Sequence, residues 1–92
     1  SARKPLDVAL LFATRRTGLA KRFLPLARAL DPAGGLWVGW PKRSSGIETD
    51  LSFDDVQRLG INSGLVDNKS AALDEGWQGL RFVVRLKDRP RR

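Results

Sequence analysis

Apolar and polar positions alternate along this chain in blocks that switch between strand and helix periods. Asp7-Val8-Ala9-Leu10-Leu11-Phe12-Ala13 follows Pro5 as a nearly unbroken apolar run of strand length. Its lack of alternation predicts an interior strand covered on both faces. Thr17 is placed as the N-cap of a helix reaching to about Leu30, on which Leu19, Phe23, Leu26 and Leu30 recur at helical spacing. Pro25 interrupts that pattern and removes a backbone hydrogen bond at about 3 kcal/mol, which predicts a kink or two short helices.

Asp31-Pro32-Ala33-Gly34-Gly35 then predicts a stop and a turn before a second strand, Leu36-Trp37-Val38-Gly39-Trp40. A strand, helix and strand in this order predict a right-handed crossover, with the two strands parallel neighbours and the helix on one face. After the polar stretch from Pro41 to Asp50, Ser52 and Asp55 have capping-box spacing, with Leu51 and Val56 set as a hydrophobic staple around them. A helix from Phe53 to about Leu59 is expected, with Gly60 and Gly64 marking its exit.

Two strands follow, Leu65 to Leu73 and Leu80 to Leu86, around a turn at Asp74 to Gly79. In the last strand Leu80, Phe82, Val84 and Leu86 share one face, while Arg81, Arg85 and Lys87 point the other way. The predicted fold is α/β: a short mixed sheet with two parallel strands, covering helices and a C-terminal antiparallel β-hairpin. Residues 1–88 make one domain and 89–92 a basic tail.

Composition narrows the chemistry. The 92 residues include neither Cys nor His, which removes disulfides, zinc-thiolate sites, thiol nucleophiles and the commonest general base. No nucleophile and base pair is identifiable, so an enzyme is disfavoured and neither a metal nor a cofactor is expected. The longest apolar run, Val8 to Ala13, falls far short of the roughly twenty residues that span a bilayer. A soluble cytoplasmic protein without a membrane partner is the expectation.

Seventeen Lys and Arg against ten Asp and Glu give a net charge of +7, which attracts polyanions. The charge is patchy: one group lies around the first helix, another at the C-terminus, and Glu48, Asp50, Asp54 and Asp55 make the middle acidic. Arg15, Arg16, Lys21 and Arg22, together with Arg81 and Arg85, are candidates for a nucleic-acid surface; their bland reading is a solvated helix face.

Ligands favour the carboxyl ends of parallel strands, where the stretch after Trp40 leaves the sheet. Lys42, Arg43, Ser44 and Ser45, with Glu48 and Asp50 alongside, are therefore candidate ligand or partner contacts for a phosphate or carboxylate, although a solvated loop has the same composition. Trp77 is a candidate for recognition or for a packed lid over the hairpin. Trp37 and Trp40 have opposite parity and cannot share one flat stacking platform.

The order of elements, with Asp31-Pro32-Ala33-Gly34-Gly35 before a strand and a closing hairpin, resembles the C-terminal half of a class I methyltransferase-like fold. Leu36-Trp37-Val38-Gly39-Trp40-Pro41-Lys42, Gly64-Leu65-Val66-Asp67 and Trp77-Gln78-Gly79-Leu80-Arg81-Phe82-Val83, with Ser45-Gly46 and Thr49-Asp50-Leu51, resemble a family of small bacterial proteins known as domain of unknown function 3052. That resemblance implies a fold and no activity. It also implies a preceding segment with further strands, making this chain the C-terminal part of a larger domain. Methyltransferases of this fold bind S-adenosylmethionine on a Gly-rich turn and an acidic residue of their N-terminal strands, and neither element is present here.

The expected function is that of a non-enzymatic α/β protein acting by protein-protein interaction or self-association, as a homodimer or by pairing of its first strand with the preceding segment. The alternative is a basic nucleic-acid-binding module.

Overall fold

The computed structural model describes residues 6–85 and residue 88. Leu86, Lys87 and the basic tail at 89–92 lie outside the described residues. The elements run β1 (Leu6–Phe12), α1 (Arg16–Ala29), β2 (Leu30–Pro41), a 3₁₀ turn at Arg43–Ser45, α2 (Phe53–Asn62), β3 (Leu65–Ala72) and β4 (Trp77–Val84). They form one four-stranded sheet in the order β1-β2-β4-β3. β1 and β2 are parallel, as the crossover predicts, and β4 is antiparallel to both β2 and β3.

Both helices pack on one face. That face carries Ala9 and Leu11 from β1, Leu36, Val38 and Trp40 from β2, and Leu80 and Phe82 from β4, all buried. α1 lays Leu19 and Phe23 onto it, and α2 lays Val56 and Gly60. The Phe23 and Phe82 rings meet edge to face with centroids 5.6 Å apart. A Cβ at Gly60 would overlap the Phe82 ring, so only glycine lets α2 come this close.

Four expectations need correcting. β1 is not an interior strand covered on both faces: it is an edge of the described sheet, and Val8, Leu10 and Phe12 are exposed on the side away from the helices. Pro25 does not split the first helix, which runs unbroken for 14 residues with Leu19 and Phe23 buried and Leu26 and Ala27 packed against the core on either side of the proline. Burial on both flanks offsets the lost hydrogen bond.

Thr17 is not the N-cap. The helix begins at Arg16, and Arg15 supplies no side-chain cap. Finally, Asp31 to Gly35 is not a turn that separates helix from strand, because β2 starts directly at Leu30. The turn chemistry becomes an irregularity inside the strand: the register jumps from Leu6↔Leu30 to Val8↔Gly35, and Asp31 Oδ1 accepts from the Ala33 N–H at 2.8 Å. Gly34 is required there, since a Cβ would stand 2.6 Å from the carbonyl oxygen of Asp7.

α2 is capped as predicted. The Asp55 N–H donates to Ser52 Oγ at 3.3 Å, and the Ser52 N–H donates back to Asp55 Oδ2 at 3.1 Å. The helix runs one turn beyond the expected Leu59, to Asn62. The hairpin is tighter than predicted, with Trp77 already in β4 and Asp74 Oδ1 accepting from the N–H groups of Gly76 and Trp77.

Gly60→Ala tests the packing of α2. In an exposed helix the change stabilises by about 1 kcal/mol. Against the Phe82 ring it is expected to destabilise by about 1–3 kcal/mol, read as a lower urea midpoint at unchanged slope.

Candidate functional site

The first candidate is the loop that leaves β2, and Ser45, Glu48, Thr49 and Asp50 in it bond back to the protein. Thr49 Oγ1 donates to the carbonyl of Thr14 at 2.6 Å, and the Asp50 N–H reaches the same oxygen at 3.3 Å. Asp50 Oδ1 accepts from the Arg16 N–H at 2.7 Å, and Arg16 Nε donates to the Asp50 carbonyl at 3.1 Å. Asp50 thus caps α1 from 34 residues away, in place of Thr17. Glu48 pairs with Arg15 at 3.3 Å. Ser45 Oγ donates to the Lys42 carbonyl and accepts from the Ile47 N–H, and Gly46 takes φ 78° to close the turn.

The loop is therefore a strap across the carboxyl ends of β1 and β2. Lys42 and Arg43 keep side chains with no bonded partner among the described residues, beside an open depression of about 520 Å³ that Ser44, Ser52, Phe53 and Asp54 also line. A smaller cleft of about 230 Å³ lies between α1 and α2, with Arg16, Leu51, Asp55 and Arg58 on its walls. Hydrogen bonding from Ser52 holds the Asp55 carboxyl below its ordinary value of 3.8, with Arg16 and Arg58 adding to the effect against the opposing pull of burial. Arg16 Nη2 stands 3.3 Å from Asp55 Oδ2.

The basic candidates are spread over the molecule. Arg15 and Arg16 stand at the start of α1 with acidic partners. Arg22 Nη2 donates to the Phe12 carbonyl at 2.7 Å, closing the end of β1, and Lys21 is exposed on the helix. Arg85 donates to the Gly64 carbonyl and pairs with Asp88. Arg81 lies on the opposite face of the sheet, paired in register with Trp37, so it does not join the α1 group.

That opposite face is the surface the sequence did not flag. The register sets it out in rows running from β1 to β3. The pairs Val8–Gly35 and Val83–Val66 lie at one end; Leu10, Trp37, Arg81 and Lys69 form the next row; Phe12, Gly39, Gly79 and Ala71 the third. Pro41 and Trp77 begin a fourth. Among the described residues no helix covers these rows.

Val8 is 68% exposed, Leu10 61% and Phe12 48%. Where glycines leave space, the face covers itself. The Leu73 side chain lies against Gly39 and Gly79, the Phe12 ring covers Gly39, and the Arg81 guanidinium lies flat on Gly35. Phe12 meets Trp77 edge to face at 5.7 Å. Trp77 is thus half-buried on this face, Trp37 is half-buried two rows away, and Trp40 is buried on the other side against Phe53. The signal for this surface was present in the odd-even parity of Val8, Leu10 and Phe12, masked by the equally apolar positions between them.

Two measurements test the strap and the cap. Asp50→Ala is expected to cost about 1–2 kcal/mol of unfolding free energy by uncapping α1, while Glu48→Ala, which breaks only an exposed ion pair, should stay within about 0.5 kcal/mol of the parent. Asp55 contributes stability that is complete above its ordinary carboxyl value and is lost as the pH falls through its lowered one. The parent's urea midpoint should therefore drop between about pH 5 and about pH 2.5 by more than that of Asp55→Asn, which lacks the titrating group.

No family model matches the chain, and no curated protein matches it significantly. Solved structures do. The chain is similar to the crystal structure of the O-methyltransferase NcsB1 from neocarzinostatin biosynthesis, in complex with S-adenosyl-L-homocysteine and 1,4-dihydroxy-2-naphthoic acid. The TM-score is 0.67 at 13% identity, over 88% of this chain and 31% of that one. It is also similar to the crystal structure of TnmH, with a TM-score of 0.68 at 12% identity, over 91% of this chain and 32% of that one. The chain spans about a third of the length of these proteins, and at this identity the likeness establishes a methyltransferase-like fold.

Proposed function

We propose that this chain is a cytoplasmic, non-catalytic interaction module on a methyltransferase-like fold, self-associating through the free edge of β1. The observation that carries the reading is the contrast between the two edges of one sheet. β3 is the kind of edge that soluble proteins leave open. Its sequence is Leu-Val-Asp-Asn-Lys-Ser-Ala-Ala, and a register shift between Asp67 and Lys69 breaks its outline. β1 has one charged residue, Asp7, and from Val8 to Phe12 its pairing with β2 is regular. A regular apolar strand at an edge is a template for another strand.

Antiparallel pairing of β1 with its copy, about a two-fold axis normal to the sheet, would join two sheets into one of eight strands. The alternative, a basic nucleic-acid-binding module, has the net charge of +7 behind it. The strap weakens it by tying up Arg15 and Arg16.

Light scattering across concentration at low and high salt, with hydrogen exchange of the β1 amides, tests the proposal. The expected result is a dimer that resists salt and in which outward β1 amides gain protection as the dimer forms. A monomer at every concentration with fast-exchanging β1 amides would overturn it. Binding to a single-stranded oligonucleotide that falls steeply with salt would favour the alternative.

A further inference from the structure

Pairing at the β1 edge extends the sheet but covers neither face, so the apolar face opposite the helices needs its own account. Strand spacing and residue rise give its rows an area of roughly 400 Å². Val8, Leu10 and Phe12 are the exposed apolar part of that area, and an apolar patch on a protein surface is often functional. Three features of the face say what fits it.

The first is area. A stable interface between two proteins takes roughly 800 Å² from each partner, about twice what this face offers, so contact through this face alone is weak for any occupant and the choice between occupants falls to shape and charge. The second is shape. Phe12, Leu73 and Arg81 lie down over the glycines and fill the space that missing side chains would leave. Parallel strands such as β1 and β2 are ordinarily covered by helices on both faces, and a helix of about fourteen residues is roughly 21 Å long, the length of the rows along the strands.

The third is charge. In the second row the only charged residues are Arg81 and Lys69, which are register partners of the same sign. Arg81 is half-buried, donates one hydrogen bond, to Asn68 Oδ1 at 3.2 Å, and has no ion pair among the described residues. A covering layer without an acid would strip water from this guanidinium and return nothing. A second copy would bring two more cations to the same place.

We infer that the open face docks an amphipathic helix whose apolar stripe carries one carboxylate, seated on Arg81 beside Lys69. Leu10, Phe12, Trp37 and Trp77 supply the apolar floor, and the carboxylate meets the two guanidinium nitrogens that Asn68 leaves free. The inference rests on the reading of this chain as an interaction module, yet it fails separately from β1 self-association, which leaves the face open.

The probe is a pair of 16-residue helical peptides without tryptophan, each with a Leu/Ala stripe and a solvent side of equal charge. One carries Glu at the centre of the stripe and the other Gln. Titration onto the full chain is followed by tryptophan fluorescence, with Trp37 and Trp77 reporting. The Glu peptide is expected to bind roughly tenfold more tightly than the Gln peptide. Arg81→Gln should erase that preference while keeping the weaker binding, and Arg81→Lys should retain part of it.

Equal affinity of the two peptides, binding of neither, or a response only to vesicles of anionic lipid would overturn the inference. A peptide-free chain that is monomeric but prefers the Glu peptide removes the β1 proposal and leaves this one standing. A dimer that binds neither peptide does the reverse.

Discussion

Phe82 stands where both helices meet the sheet, and the arrangement of the covered face follows from it. The residue is in β4, paired on one side with Leu36 and on the other with Asp67, so its ring rises from the middle of the four strands. α1 approaches with the edge of Phe23, and α2 approaches with a glycine because nothing larger fits against the ring. Two helices that seat on one ring must lie on the same side. The main core cluster of the described residues therefore lies on one face of a sheet whose other face is almost as apolar.

This imbalance links the packing to the proposed function. Parallel strands are ordinarily covered on both faces, and β1 and β2 are parallel strands with one covered face among the described residues. At the other end of the sheet the design is different, for β3 is polar, irregular and suited to water. The fold has one finished margin and one unfinished one. Its fold is that of about a third of the solved structures it resembles.

Much of the fold was legible because its signals were local. The capping box of Ser52 and Asp55 needs only a spacing of three, and the parallel pairing of the first two strands follows from a helix between them. What escaped was decided at a distance. Asp31 to Gly35 has the composition of a turn, but neighbouring β1 keeps it in the sheet as an irregular stretch. Thr17 looked like a cap, yet the true cap is a carboxylate beyond the next strand. The polar loop after β2 has the composition of an anion site and of a structural loop alike, and its bonds to Thr14, Arg15 and Arg16 give the particular course of the strap. The alternation of Val8, Leu10 and Phe12 could not mark an exposed face while Ala9, Leu11 and Ala13 were apolar as well.

The cap on α1 also sets an order of events. The first N–H groups of a helix have no partner within it, and here one waits for Asp50, 34 residues downstream. While the chain is being made, α1 can coil before β2 exists, but its first turn stays ragged until the strand has been laid down and the strap has crossed back. The β1–α1–β2 unit is therefore locked by the segment that follows it, and the first turn of the earliest helix takes its cap from a residue that lies beyond the second strand.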